Sequence, residues 1–247
     1  MLVKLMSDLH LDLDRTFGRD FLESLDGSNI DLLILAGDIL TFRDKYRKES
    51  TKVLAKISQK FKLTLYVPGN HEWWFSSFKE GGELMAEWGQ KFSNIKFLTR
   101  YNPQTIGKTK FVGCTMWYPK SYEAEEQKRY WPDFKYIWDS SNIYEENAKD
   151  IKYLKENVDE NTFVITHHLP HRMAIHPRFK MVDTNCYFLC DQSELIAAKN
   201  PKFWAFGHTH QSCDFKIGPT RLICNARGYL NEERDAPYFD KDLTIEV

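Results

Sequence analysis

Five apolar runs of strand length in this chain end in the same way, each passing directly into a short cluster of metal-type donors. "VKLMSDLH" delivers Asp8 and His10, and "LLILAGD" delivers Asp38. "TLYVPGNHE" delivers Asn70, His71 and Glu72; "FVITHHLP" delivers His167 and His168; "FWAFGHTH" delivers His208 and His210. Ligand sites in open α/β sheets form beyond the carboxyl ends of strands, so five such endings point toward one common region. All eight histidines fall within segments 10, 71, 167–176 and 208–210, and none is scattered over the helical stretches. Each cluster taken alone is ordinary turn or capping chemistry. Five in one chain are not expected of independent turns.

The elements between these endings restrict the fold. Strand-length runs occur at 2–6, 31–36, 63–67, 110–115, 162–166, 202–206, 214–217, 221–224 and 243–247. Helical periodicity over 46–61 puts Val53, Leu54, Ile57 and Phe61 on one face, and 145–158 behaves likewise; 80–92 and 191–199 are further helices. Strands alternating with helices, followed by closely spaced strands, predict an α/β layered protein with two packed sheets flanked by helices. A length of 247 residues is near the upper end of what one core supports, and a single domain over 1–247 is expected. The segment 117–144 carries nine aromatics in 28 residues and is too long for a simple connection. It reads either as an insertion covering part of the core or as a lid or wall that stacks on a substrate.

Charge and cysteine usage exclude some function classes. A net charge of -1 with no strongly basic stripe offers no surface for duplex nucleic acid, while a small phosphorylated substrate is compatible with it. No apolar run reaches transmembrane length, and the N-terminus enters a strand pattern without a signal-peptide layout, so no membrane association is expected. Five cysteines without a CxxC pair read as reduced thiols of a cytoplasmic protein.

Two aspartates, one asparagine oxygen and four histidines suit Mn, Fe or Zn better than Ca, and the set lacks the thiolates of a structural zinc cluster. Seven ligands exceed one tetrahedral ion and suit two divalent ions bridged by a carboxylate, with Mn the leading choice and Fe or Zn alternatives. Such a pair holds a bridging hydroxide at neutral pH and neutralises charge on a phosphoryl group, which makes a phosphoester the natural substrate.

These segments resemble the calcineurin-like metallophosphoesterase superfamily. Its pattern appears in order as Asp8-Leu9-His10, Gly37-Asp38, Gly69-Asn70-His71-Glu72, His167 and Gly207-His208-Thr209-His210. The resemblance extends over residues 8–210 and is nearest to the small, single-domain bacterial phosphoesterases. It implies a four-layer α/β/β/α sandwich. By motif position Asp8, His10 and His210 would hold one metal, Asn70, His167 and His208 the other, and Asp38 would bridge. His71 matches the family histidine that assists the leaving group, a role suited to an imidazole titrating near working pH, and Glu72 reads as an orienter of the ligands. His168 points either toward substrate or into a loop hydrogen bond. The stretch 207–229 suggests that Asn225, Arg227 and Tyr229 return near the site, with Arg227 either clamping a phosphate oxygen or making a salt bridge. "GDILTFRDK" departs from the protein Ser/Thr phosphatase branch, which continues Gly-Asp with Asp-Arg-Gly.

The expected function is therefore metal-dependent hydrolysis of a phosphodiester or phosphomonoester, nucleotides among the candidates, by a metal-bridging hydroxide with His71 assisting. The alternatives are a single-strand nuclease, with aromatics stacking bases, and a non-catalytic metal-binding scaffold of the same fold.

Overall fold

The two-residue period of the strands sorts the apolar side chains into layers. The computed structural model describes residues 1–230 and 238–247. In the first sheet β1 (Leu2–Met6), β2 (Leu32–Ala36), β3 (Thr64–Val67) and β4 (Ile95–Phe97) lie parallel in that order. The second sheet contains β5 (Gln104–Ile106), β6 (Thr109–Cys114), β7 (Thr162–Thr166), β8 (Phe203–Phe206), β9 (Cys213–Ile217) and β10 (Thr220–Cys224), in the spatial order β5-β6-β7-β8-β10-β9. Its centre is parallel and both edge strands are antiparallel. A last strand, β11 (Thr244–Glu246), returns to the first sheet antiparallel to β1. Both sheets are thus mixed.

Val3, Leu5, Ile34, Ala36 and Val67 from one sheet meet Phe111, Phe163, Ile165 and Ala205 from the other in a shared core. The alternate residues Met6, Leu33, Leu35 and Tyr66 face outward under α2 (Arg47–Lys60) and α3 (Phe78–Lys91), with α1 (Arg19–Ser24) at one side. On the opposite outer face Val112, Val164, Trp204 and Leu222 pack under the helices over Ile143–Asn157 and Ser193–Lys199. The result is the expected α/β/β/α sandwich. Parallel strands covered on both faces read as near-continuous apolar runs, which is why these strands were visible in the sequence.

The expected helix over 80–92 begins slightly earlier, because Ser77 and Glu80 form a reciprocal cap: each side chain accepts the other's backbone N–H. β4 and β5 were not anticipated; at three residues each they are too short to show a period. Within 117–144 the chain forms α4 (Tyr122–Gln127) and α5 (Pro132–Tyr136), followed by α6 (Ile143–Asn157); α7 (Ser193–Lys199) comes later. Trp117 and Tyr118 are core residues, whereas Trp131 lines a cavity, so this segment both covers the core and walls a cleft. Among the described residues no helix is long and apolar enough to cross a membrane, and all five cysteines are unpaired.

Candidate metal centre

The ends of β1, β2, β3, β7 and β8 meet at one edge of the sandwich. Main-chain hydrogen bonds lace the connecting loops together: Asp8 N–H to Gly37 O at 2.9 Å, His10 N–H to Asp38 O at 2.9 Å, and Gly207 N–H to His167 O at 2.9 Å. Asp8, His10, Asp38, His208 and His210 all take left-handed backbone angles, with φ of 52°, 44°, 57°, 67° and 53°. Non-glycine residues adopt that region at a cost, and such strain concentrates at functional sites. Two motif glycines allow the close approach. A Cβ on Gly69 would stand 2.2 Å from Asp38 Oδ1, and one on Gly37, itself at φ +89°, would stand 2.2 Å from His167 Nδ1.

The side chains form two donor groups that share one carboxylate: Asp8, His10, Asp38 and His210 in the first, and Asp38, His167 and His208 in the second. Asp38 Oδ2 faces His10 Nε2 at 3.8 Å, and its Oδ1 faces His167 Nε2 at 3.3 Å. His10 Nε2 lies 3.1 Å from His210 Nε2, and His210 Nε2 lies 3.6 Å from Asp8 Oδ1. On the other side His167 Nε2 lies 3.0 Å from Asn70 Oδ1 and 3.1 Å from His208 Nδ1. The donor set suits two divalent cations. Burial holds the His10 and His208 imidazoles well below the usual histidine range, in the neutral form that coordinates metal. Burial alone would push the Asp38 carboxyl up, but His167 and His71 outweigh it and hold the group well below the usual range.

Orienting contacts surround these donors. Glu72 is fully buried and accepts hydrogen bonds from Asp38 N–H (3.0 Å), Ile39 N–H (2.8 Å), Gly69 N–H (2.8 Å) and Tyr66 O–H (2.6 Å), which ties the β2 and β3 loops together. Asp133, from the aromatic-rich segment and also fully buried, accepts from Asn70 Nδ2 (2.9 Å), Trp74 Nε1 (2.8 Å), Tyr118 O–H (3.1 Å) and Trp131 Nε1 (3.0 Å). By engaging the amide nitrogen it turns Asn70 Oδ1 toward the histidines. Sequence reading missed Asp133. The available signal was a carboxylate two residues after Trp131, whose indole N–H needs an acceptor.

His71 stands beside the donors rather than among them. Its Nε2 is 3.9 Å from Asp38 Oδ2, and its ring stacks on Trp74 at 3.6 Å between centroids. The Tyr229 hydroxyl is 3.2 Å from His71 Nε2, and the Tyr229 ring lies 4.5 Å from that of His10. Burial lowers the His71 imidazole from 6.5 to about 4, despite the opposing pull of Asp38, so this environment favours the neutral ring.

The structure does not bring His168 and Arg227 to the cleft. His168 is fully buried behind His208, with its Nδ1 3.1 Å from Thr115 O, because the strand-end pair directs its two side chains to opposite sides. Arg227 donates to Leu9 O (3.0 Å) and Asp14 Oδ2 (3.1 Å) and covers Phe21, the salt-bridge alternative. Asn225 is likewise structural, donating to Leu5 O and Asp240 O.

A cavity of about 450 Å³ opens from the donors and is lined by Asp38, Asn70, His71, His208, His210 and Tyr229 at its base. The two donor groups thus lie at the base of an open cavity, with a histidine at its edge.

Comparison with known proteins agrees with this geometry. The chain is 26% identical, over 278 aligned positions, to the uncharacterized protein L509 of Acanthamoeba polyphaga mimivirus, covering 98% of this chain and 96% of that one. Among solved structures, phosphopantetheinyl hydrolase from Mycobacterium tuberculosis superposes with a TM-score of 0.70 at 17% identity, covering 95% of this chain and 98% of that one. A dimetal phosphatase from Danio rerio gives 0.52 at 13% identity, covering 91% and 86%. At these identities the structural likenesses speak for the fold. The family model described as Calcineurin-like phosphoesterase matches residues 1–212, which contain all five strand-end motifs, and the chain belongs to that family.

Proposed function

We propose that this metal-dependent phosphoesterase hydrolyses a phosphodiester or phosphomonoester at a two-metal centre, the chain acting as one catalytic unit. Asp8, His10 and His210 would hold one ion, Asn70, His167 and His208 would hold the other, and Asp38, common to both donor groups, would bridge. The observation that carries this reading is the pair of donor groups sharing Asp38 beneath the cavity. These residues would supply, through divalent ions when bound, activation of water and neutralisation of charge on the phosphoryl oxygens. The protein's own residues do the rest. Asp133 and Glu72 fix the ligand geometry. His71, stacked on Trp74, steadies the leaving oxygen through a ring N–H as the P–O bond breaks. Mn leads as the native metal, with Fe or Zn as alternatives. A small substrate, a nucleotide included, fits the near-zero net charge. The phosphopantetheinyl hydrolase likeness adds phosphopantetheine esters to the substrates to be tried. Five unpaired cysteines support a reducing, cytoplasmic compartment.

The test loads the protein with Mn, Fe or Zn in turn and follows hydrolysis of aryl phosphomonoesters and phosphodiesters. Metal-dependent turnover is expected. A protein that binds two ions and hydrolyses neither class overturns the proposal.

A further inference from the structure

The cavity beyond the donors has a chemical character of its own. One wall is made by Trp74 and Trp131, whose sole polar atoms are both committed to Asp133 at 2.8 and 3.0 Å, so only ring carbons remain for the cavity. Trp131 is further fixed by stacking on Tyr187, with centroids 4.2 Å apart and planes at 11°. The adjoining wall comes from the segment after β7, where three short 3-10 turns set Ile175, Phe179, Val182 and Phe188 along the space, with Phe188 also packed on Trp131 at 5.7 Å. Phe188 packs on the His208 ring at 4.5 Å, which makes the apolar wall continuous with the donors. At the mouth Phe179 and Val182 remain 39% and 41% exposed, apolar surface that an occupant of the cavity would cover. Among the described residues, no lysine or arginine lines the cavity.

Resting on the phosphoesterase reading, we infer that the substrate is the phosphate ester of an uncharged, largely apolar alcohol, whose organic arm lies along the surface formed by the two tryptophans and the 175–188 segment while the phosphate meets the donors. A volume of about 450 Å³ is that of a small-molecule pocket and accommodates an extended arm or a ring system. Binding of the arm draws on removing apolar surface from water. A second phosphate or a polynucleotide backbone in the same space would place charge mostly against ring and aliphatic carbon; among the described residues the polar side chains of the outer walls are His176, Thr184 and Asn185, with no lysine or arginine to offset the desolvation cost. In the reaction water adds to phosphorus and the P–O bond to the arm breaks; one of the water's protons passes to the departing oxygen to give the neutral alcohol, and the other stays with the phosphate.

The test uses n-alkyl phosphates and their methyl diesters from two to ten carbons, with Mn-loaded protein and phosphate or alcohol release as readout. kcat/KM is expected to rise about fourfold per methylene until the cavity is filled. Phe179→Ser and Val182→Ser, on the partly exposed lip, should flatten that slope. Calorimetric binding of n-alkylphosphonates supplies a readout independent of turnover, and Kd should fall with chain length by a similar factor. If short esters are hydrolysed but neither kcat/KM nor Kd changes with chain length, or if nucleoside diphosphates or oligonucleotides are preferred, the inference is wrong while the phosphoesterase reading survives. If no ester is hydrolysed but the phosphonates still bind with the chain-length trend, the cavity assignment stands and the phosphoesterase reading fails.

Discussion

Replacing Asp133 with asparagine separates a positioning role from a purely structural one. The carboxylate accepts four hydrogen bonds, from Asn70, Trp74, Tyr118 and Trp131, in a site with no solvent exposure. An amide keeps the shape but converts one oxygen into a donor. If the new –NH2 replaces Oδ2, it meets Tyr118 O–H and Trp131 Nε1. The tyrosine hydroxyl can rotate and accept, but the indole is only a donor and is left unpaired. One buried unpaired donor costs about 1–3 kcal/mol, equivalent to a Tm loss of roughly 4–8 °C at the centre of that range for a chain of this size. If instead the –NH2 replaces Oδ1, it confronts Asn70 Nδ2, and relief comes from flipping the Asn70 amide so that its nitrogen faces the histidines. Either way Asn70 loses a charge-assisted bond, and groups that orient metal ligands typically account for about 10–100-fold in metal affinity or activity. The assay is metal titration by calorimetry with elemental analysis, alongside scanning calorimetry. Asp133→Asn should fill one of two sites with weakened affinity and leave the other near wild type. A variant that loses Tm yet binds both ions with wild-type affinity would refute the positioning argument and leave Asp133 a structural residue.

Other outcomes follow from the same contacts. His71→Ala should lower kcat at least about a hundredfold while keeping metal content, since the ring lies beside the donors rather than among them; loss of metal on elemental analysis would contradict that placement. Glu72→Ala strands three main-chain N–H groups, costing about 3 kcal/mol or more and lowering Tm by roughly 6–12 °C. Chelation should abolish turnover and lower Tm, and metal at about a hundred times its Kd should restore about 2.7 kcal/mol per site. Burial, with Glu123 adding to it, pushes the Cys186 thiol from 9.0 up to about 11. A raised acid pKa means about a hundredfold less thiolate at pH 8, of which the greater nucleophilicity of that thiolate returns about tenfold, so its reaction with a disulfide reagent should run about tenfold slower than that of an ordinary thiol, rising tenfold per pH unit up to about 11. A rate at pH 8 matching a free thiol would contradict the burial of this side chain.

Much of this protein was legible in its residues because its donors sit directly after strands. The run Leu32–Ala36 is apolar throughout, since both faces of the sheet are covered, and Gly37-Asp38 follows without a gap. The same adjacency holds for Asp8, His167 and His208, so reading the strands located the donors, and their chemistry pointed to two cations. Where one strand end carried two candidates, residue type was not enough. His167 and His168 are chemically identical, and the structure sends one toward Asp38 and the other to Thr115 O.

The sequence by itself determined the layered α/β class, the donor inventory and the family pattern, all of which are encoded in neighbouring residues. Only the tertiary structure decided the surroundings of that inventory. Asp133 meets Asn70 from 63 residues away, Tyr229 meets His71 from 158 residues away, and the tryptophan wall adjoins a segment far along the chain. Strand periodicity is a local property that composition can display, whereas these contacts arise from packing between separate loops, which leaves no spacing in the chain to be read.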